Sequence, residues 1–109
     1  MKDDHVYIEH TRDAVEDISR YASAGRDTFF AERVRHDAIL RKLEVIGQAV
    51  KNLSDSTKSR QPQVPWKQIA GMRDKVTHDY FGVNLEIVWA VVEKDLPLLN
   101  QAVEVLLDT

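Results

Sequence analysis

The sequence predicts an all-α protein that folds as an antiparallel four-helix bundle, with its last helix kinked near Pro97. Apolar residues recur every three or four positions in each long segment, and no segment alternates apolar and polar residues as a strand would. Breaks at Gly25, at residues 52–62 and at residues 81–84 separate these segments. The 109 residues suffice for one hydrophobic core, so we expect a single domain over residues 1–109.

The first two helices are predicted from their apolar stripes. The first covers residues 4–24 and ends at Gly25, because glycine readily takes the left-handed conformation at a helix end. Asp27 or Thr28 is expected to cap the second. Gly47 lies inside this second helix, where glycine costs about 1 kcal/mol relative to alanine, so we expect another helix to approach closely there. The two stripes are Ile8, Thr11, Val15, Ile18 and Ala22, and Ile39, Leu43, Ile46, Val50 and Leu53.

The last two helices follow the polar, aperiodic residues 52–62, which predict an exposed loop. Pro65 suits the first turn of the third helix. Asn84 is expected to cap the fourth, and Pro97 predicts a kink at residues 93–96 because proline cannot donate a backbone hydrogen bond. The inward residues are Trp66, Ile69 and Val76 in the third helix, and Leu85, Val88, Val92, Leu96, Leu99, Val103 and Leu106 in the fourth.

The fourth helix carries a second apolar stripe along another of its faces. A bundle of this size cannot bury two faces of each long helix within one chain. Burial against a second copy, in a two-fold homodimer, is therefore expected. The stripe consists of Ile87, Val91, Leu98, Ala102 and Val105.

Composition and charge restrict the class of protein. The chain has no cysteine, which excludes disulfides and thiolate metal sites. The longest apolar run has only six residues, 87–92, and the first residues lack the apolar stretch of a signal peptide, so we expect a cytoplasmic protein without membrane contact. The net charge is −3, yet residues 51–75 hold six basic and two acidic side chains, a local +4 that can attract a polyanion.

The most informative segment is residues 73–80, which contains Arg73, His78 and Tyr80. An arginine fork fits phosphate oxygens, and a histidine moves protons at neutral pH. The pair suits cleavage of a phosphodiester whose own 2′-hydroxyl is the nucleophile, which indicates an RNA substrate and requires neither metal nor cofactor. Lys75 adds positive charge beside the motif, whereas Asp74 would either repel RNA or hold Arg73 in place.

Helix geometry leaves two arrangements open for this motif. Five positions place Arg73 and His78 about 140° apart around an ideal helix, so one straight helix does not direct both at one phosphate. Either the helix ends near Thr77, or two copies of the motif meet across a dimer axis. The alternative to a catalytic site is that Arg73 is a surface charge, His78 a favourable residue at the helix end, and Tyr80 with Phe81 a core plug.

Other polar and aromatic candidates are weaker. His5 and Glu9 are spaced for one helix face, but His10 falls off that face, which argues against a metal site. His36 is expected to be a solvated helix residue. Trp66 and Trp89 are expected in the core rather than stacked on bases.

The chain resembles the HEPN superfamily, and the Tyr80 ending of its motif is similar to the HepT-like toxin family. Residues 37–49 resemble the family's second-helix signature, residues 65–73 its lead into the motif, and residues 88–97 its closing helix. The resemblance implies a HEPN-like bundle and a homodimeric, metal-independent endoribonuclease, with Arg73 and His78 as the catalytic pair. It also implies a toxin of a two-gene system, whose partner is an MntA-type nucleotidyltransferase antitoxin that transfers AMP to Tyr80. The alternative is a non-catalytic helical accessory subunit that binds a nucleotidyltransferase.

Overall fold

The computed structural model describes residues 2–108, with side chains from residue 4 onward. Four long helical units form an all-α bundle, as the sequence predicts, and short helices join them. The α-helices are α1 (Lys2–Ala22), α2 (Arg26–Ala31), α3 (Arg33–Lys51), α4 (Asp55–Ser59), α5 (Trp66–His78), α6 (Leu85–Ala90) and α7 (Leu96–Leu107), with a 3-10 turn at Tyr80–Gly82 and a π-helical turn at Val91–Asp95.

Cross-helix contacts show that neighbouring helices run antiparallel. Between α1 and α3, Asp17 pairs with Lys42 at 2.9 Å, and further along α1 the carbonyl of Tyr21 accepts from Arg35, which lies earlier in α3. Between α3 and α5 the same reversal holds. The predicted antiparallel arrangement is therefore confirmed for these pairs. The fully buried side chains at their centre include Ile18, Phe29, Ile39, Leu43, Ile46, Val50, Val88, Leu99 and Val103.

The second predicted helix is wrong in two details. Neither Asp27 nor Thr28 caps it, because α2 already begins at Arg26, with Gly25 at φ 96° and its carbonyl accepting from Phe29. The helix is also interrupted at Glu32, whose backbone is extended, so that α2 and α3 are separate. This break accompanies full burial of Phe29, whose ring packs 5.1 Å from Trp89. The first helix ends at Ala22, two residues before the predicted end, and Gly25 has the expected positive φ.

A buried carboxylate anchors α1 to the segment that the sequence predicts as a loop. Asp4 is 6% exposed and accepts hydrogen bonds from the backbone and hydroxyl of Ser54 and from the hydroxyl of Thr57. Ser54 also caps α4, which forms within residues 52–62. These hydrogen bonds, first from Ser54 and then from Thr57, lower the pKa of Asp4. Asp4, Ser54 and Thr57 are called the Asp4 corner below.

The fourth helical unit changes its winding before Pro97. Asn84 caps α6 by accepting from the backbone of Glu86 and Ile87, as predicted. The π-helical turn then occupies Val91–Asp95, at the site of the predicted kink, and Leu96 donates to the carbonyl of Val91. The wider turn accommodates a proline that has no N–H to donate. Among residues 2–108, no helix has both the length and the apolar composition that crossing a membrane requires.

The second apolar stripe of the fourth unit is only partly at the surface. Ile87, Leu98 and Val105 are 48%, 37% and 50% exposed. Val91 and Ala102 are instead buried within the chain, so the expectation of a continuous surplus stripe is wrong at these two positions. The remaining three side chains leave apolar area exposed on the fourth unit.

Candidate active site

Arg73 lies at a close approach of α5 to α3, opposite Gly47. A Cβ placed on Gly47 would lie 2.6 Å from the Cβ of Arg73 and 3.0 Å from its backbone nitrogen. Any side chain at Gly47 would therefore push α5 away from α3. The close approach predicted at Gly47 is confirmed, and it occurs at the arginine of the motif.

The residues beside Arg73 divide between two sides of α5. The guanidinium of Arg73 donates to the Asp74 carboxylate at 3.3 Å, so Asp74 contacts the arginine at the helix surface. The Arg73 side chain remains one-third exposed. Lys75 is exposed and lines clefts between α5 and α6, away from α3. Asp74 thus forms an ion pair with Arg73, whereas Lys75 contributes positive charge on another face of α5.

Polar residues at helical spacing on α3 face the motif. Glu44 accepts from Thr77 at 2.9 Å and from Arg41 at 3.0 Å. The Thr77 hydrogen bond, and after it the Arg41 hydrogen bond and charge, lower the pKa of Glu44 and keep it ionised. We call this row the α3 polar stripe; it comprises Asp37, Arg41, Glu44 and Gln48.

An open cleft of about 320 Å³ lies between α1, α3 and α5, and Arg73 forms part of its wall. The α3 polar stripe supplies three of its side chains. From α1 come two rings, Tyr7 and His10, whose centroids are 6.3 Å apart. This Arg73 cleft is lined by Tyr7, His10, Arg41, Glu44, Val45, Gln48, Ala49 and Arg73.

His78 lies at the C-terminal end of α5, exposed to solvent. The helix continues through His78 and ends there, because Asp79 leaves the helical conformation at φ −148° and ψ 57°. The motif histidine and Arg73 thus still project about 140° apart. Among the described residues, His78 is not part of the Arg73 cleft. One chain alone does not bring the predicted catalytic pair into a single cleft.

Tyr80 is held against α3 by a hydrogen bond. Its hydroxyl donates to Asp37, at the first position of the α3 polar stripe. This hydrogen bond, together with burial and the negative charge of Asp37, raises the pKa of Tyr80 to about 12. The neighbouring ring of Phe81 packs edge-on at 5.4 Å and is 89% exposed. Phe81 is therefore not a core plug, and Tyr80 is half-buried in the 3-10 turn.

The remaining sequence candidates divide between core and surface. The prediction that His36 is solvated is wrong. Its ring centroid lies 5.0 Å from that of Phe29, and its Nε2 is buried without a hydrogen-bond partner. Trp66 and Trp89 are buried, as expected. His5 pairs with Glu9 at 3.6 Å on the surface. Across the described part of the chain, no three His, Asp or Glu side chains are grouped to hold a metal ion.

The α3 polar stripe and His10 are the site residues that sequence reasoning missed. A signal for the stripe exists, since its members recur at three- and four-residue steps beside the apolar stripe and around Gly47. His10 has no comparable signal. Its position in the cleft depends on how α1 packs against α3.

Comparison with known proteins identifies relatives of the whole chain. The Ribonuclease HepT-like family model matches residues 11–106. A candidate RNase of Caldanaerobacter subterraneus is 42% identical over 108 residues, which are 98% of this chain and 96% of that protein. Probable ribonuclease HepT of Thermococcus cleftensis is 36% identical, covering 92% of this chain and 93% of the relative. A Methanocaldococcus jannaschii protein named as a gamma-glutamylcyclotransferase and candidate RNase is 38% identical over 94% of this chain but 46% of its own length. No solved structure matches the chain.

Proposed function

The chain belongs to the ribonuclease HepT-like family, and from this premise we propose that it is an endoribonuclease that cleaves RNA without a metal ion. We further propose that it is the toxin of a two-gene system and is neutralised by AMP transfer to Tyr80. The observation that best supports this proposal is the position of Arg73. The absence of a side chain at Gly47 allows Arg73 to lie against α3, where it forms part of the wall of an open cleft. His78 follows five residues later, at the end of the same helix.

The proposed chemistry uses the RNA itself as nucleophile. One imidazole accepts the proton of the 2′-hydroxyl, and the 2′-oxygen attacks the adjacent phosphorus. The bond from phosphorus to the 5′-oxygen then breaks, and a protonated imidazole supplies the proton that this leaving oxygen needs. Arg73 neutralises the negative charge that accumulates on the phosphorane. The products are a 2′,3′-cyclic phosphate and a 5′-hydroxyl, with His78 as the proton-transfer residue.

A homodimer supports this chemistry because Arg73 and His78 of one chain diverge by about 140°. Two copies of the motif facing each other across a two-fold axis place an arginine of one chain near a histidine of the other. Ile87, Leu98 and Val105 provide exposed apolar surface for association. Each site then draws on both chains.

Regulation through Tyr80 rests on its place in the 3-10 turn, two residues after His78. AMP transfer joins the tyrosine oxygen to the α-phosphorus of ATP and releases pyrophosphate. The added phosphate would compete for the charge of Arg73 and repel the RNA backbone. The proposed transferase is an MntA-type nucleotidyltransferase antitoxin.

Cleavage of purified RNA in the presence of EDTA tests the activity. The wild type should cleave RNA and leave DNA intact, and His78→Ala and Arg73→Ala should each lower the rate by about 100-fold or more. His5→Ala, on the exposed face of α1, is the matched control and should cleave normally. Full activity in His78→Ala would refute the assignment. Inactive wild type that binds a nucleotidyltransferase would support the accessory-subunit alternative instead.

Mixing inactive variants tests the shared site. Arg73→Ala and His78→Ala protein should partly restore cleavage when combined, because a mixed dimer holds one site with both wild-type residues. Sedimentation should show a dimer at micromolar concentration. A monomer, or no recovery from a mixture that exchanges subunits, would contradict the arrangement.

Incubation with ATP and a cognate MntA-type enzyme tests the regulation. The mass should rise by AMP units and RNA cleavage should fall. Tyr80→Phe should block the mass change, whereas Tyr21→Phe should not. An adduct that maps to Tyr7 or Tyr21 would refute the proposed switch.

A further inference from the structure

The Arg73 cleft has features of a second part of the substrate site. We propose that it holds the RNA nucleotide next to the scissile phosphate and that Glu44 and Gln48 select its base. This inference rests on the proposed ribonuclease function, and its own tests are separable from those of catalysis. Four observations carry it: the position of Arg73, the charge of the walls, the two rings from α1, and the polar side chains that α3 presents to the cleft.

The position of Arg73 connects the cleft with the reacting phosphate. Arg73 is both the proposed phosphorane ligand and a wall of the cleft. A phosphate bound at this guanidinium therefore places one of its two neighbouring nucleotides against the cleft opening. The volume of about 320 Å³ lies at the small end of the range for ligand pockets, which suits one nucleotide rather than a folded RNA element.

The charge of the cleft favours a phosphate-bearing ligand. Arg41 and Arg73 line it together with a single carboxylate, Glu44, in a chain whose net charge is −3. Arg41 is paired with Glu44 but its side chain is 72% exposed, so it can also reach a backbone phosphate. His10 adds a further hydrogen-bond donor at the rim.

The rings and polar groups of the cleft match the ways in which proteins recognise unpaired RNA bases. Single-stranded bases are bound by stacking on aromatic rings and by hydrogen bonds along their edges. Tyr7 and His10 provide the rings. Gln48 is exposed and offers an amide, which can both donate and accept.

Glu44 indicates which bases the cleft prefers. Its carboxylate oxygens already accept from Thr77 and Arg41, but two carboxylate oxygens offer about four acceptor positions. The lowered pKa keeps Glu44 ionised, so that it can only accept hydrogen bonds. An exocyclic amino group offers it two N–H donors, whereas uracil has no amino group and offers only its ring N3–H. The cleft should therefore favour adenine, cytosine or guanine over uracil.

Binding of an RNA that cannot be cut tests the cleft without relying on catalysis. The probe is a short fluorescein-labelled 2′-O-methyl oligoribonucleotide of mixed sequence, in which the nucleophile is blocked. Arg41→Ala should weaken binding by about tenfold, measured by fluorescence anisotropy. Arg20→Ala is the matched control, since Arg20 is also exposed and also pairs with a carboxylate three residues away, but lies outside the cleft. Circular dichroism checks that both variants are folded.

Base selection is tested by sequencing the ends of cleaved RNA. The wild type should cut with a bias against uracil on one side of the scissile phosphate. Glu44→Gln keeps an acceptor for Thr77 and should weaken that bias several-fold at this position alone, as should Gln48→Ala. Gln101→Ala, an exposed glutamine on α7, should leave the bias unchanged.

The outcomes separate the two proposals. Equal binding by Arg41→Ala and Arg20→Ala, no binding by the wild type, or an unchanged base bias in Glu44→Gln would overturn the nucleotide subsite. Probe binding that depends on Arg41, in a wild type that does not cleave unmodified RNA, would instead support the subsite and overturn the proposed ribonuclease function.

Discussion

Asp4 and Asp37 both accept hydrogen bonds from hydroxyl groups, and their surroundings differ. Asp4 is buried, and three donors from Ser54 and Thr57 enclose it. Asp37 lies in an exposed part of α3 and accepts from the single hydroxyl of Tyr80. Both contacts join segments distant in sequence, but only the Asp4 corner is shielded from water.

The difference in burial and in number of donors suits Asp4 to stabilising the fold and Asp37 to holding a residue that can be released. A buried carboxylate with several donors fixes its partners, and removal of its charge leaves those donors unpaired. An exposed carboxylate with one donor can release its partner at little cost, because water replaces the contact. The Asp4 corner therefore holds α1 to α4, whereas the contact of α3 with α5 presents residues that a substrate or a partner enzyme can reach.

The largest expected effect is that of Gly47→Ala, which acts on the contact of α3 with α5. The new methyl group would meet Arg73 at 2.6 Å, so α5 must shift. We expect a loss of about 1–3 kcal/mol in unfolding free energy and about a tenfold loss of cleavage rate. Denaturant unfolding and RNA cleavage measure the two effects.

Gly71→Ala is the control within α5. A Cβ at Gly71 meets nothing within 4 Å, so this change should stabilise the helix by about 0.5–1 kcal/mol and leave cleavage intact. Equal behaviour of the two variants would show that the close approach at Gly47 does not position Arg73.

An intermediate effect is expected for Asp4→Asn at the Asp4 corner. We expect a loss of about 1–2 kcal/mol at neutral pH with the cleavage rate per folded molecule unchanged, because the corner lies away from Arg73. Asp13→Asn, an exposed residue of the same helix, should change the unfolding free energy by less than about 0.5 kcal/mol. A cleavage defect in folded Asp4→Asn would break the separation of stability from function.

The pH dependence of this variant has a definite sign. The pKa of Asp4 is below its ordinary 3.8, so its contribution is present above that value and is lost as the pH falls through the lower, folded-state pKa. The unfolding free energies of wild type and Asp4→Asn should therefore converge in strong acid. Divergence on acidification would contradict the proposed role of the ionised carboxylate.

The smallest expected effect is that of Asp37→Asn on Tyr80. Its unfolding free energy should fall by about 0.5 kcal/mol near neutral pH, since one hydrogen bond at the surface weakens. The pKa of Tyr80, about 12, should fall toward the ordinary 10.0. Ultraviolet titration of tyrosinate, with Tyr80→Phe as the reference, measures this shift; an unchanged pKa would show that Asp37 does not cause it.

In the wild type, the raised pKa of Tyr80 stabilises the fold below about pH 10. This contribution disappears as the pH rises from 10 toward 12, because the unfolded chain loses the phenolic proton first. Asp37→Asn should make the alkaline part of the stability curve less steep.

Much of the fold follows from local sequence signals. Gly25 at positive φ and Asn84 as a cap act within a few residues of their own positions, so pattern and residue type predict them. Gly47 also gives a readable signal, because glycine inside a helix needs a reason. The break at Glu32 carries no glycine or proline, and it accompanies the burial of Phe29 against Trp89, a contact between residues distant in sequence.

The site is less predictable than the fold. The motif places Arg73, His78 and Tyr80 in order along the chain. Which side chains of α3 face them depends on the offset between two antiparallel helices, and His10 comes from a third. The expectation that His36 is solvated is wrong for the same reason, since the ring of Phe29, from another helix, packs against the imidazole.

The antiparallel contact of α3 with α5 also has a mechanical consequence. Gly47 meets Arg73, Glu44 binds Thr77 and Asp37 binds Tyr80, so three supports lie in a row that spans about 15 Å along α3. A rod supported at three points resists tilting more than one supported at two. Loss of the hydrogen bond between Tyr80 and Asp37 would release the residues that follow His78, while the contact of Gly47 with Arg73 remains. We therefore expect a change at Tyr80, just beyond the end of α5, to shift His78 more than Arg73.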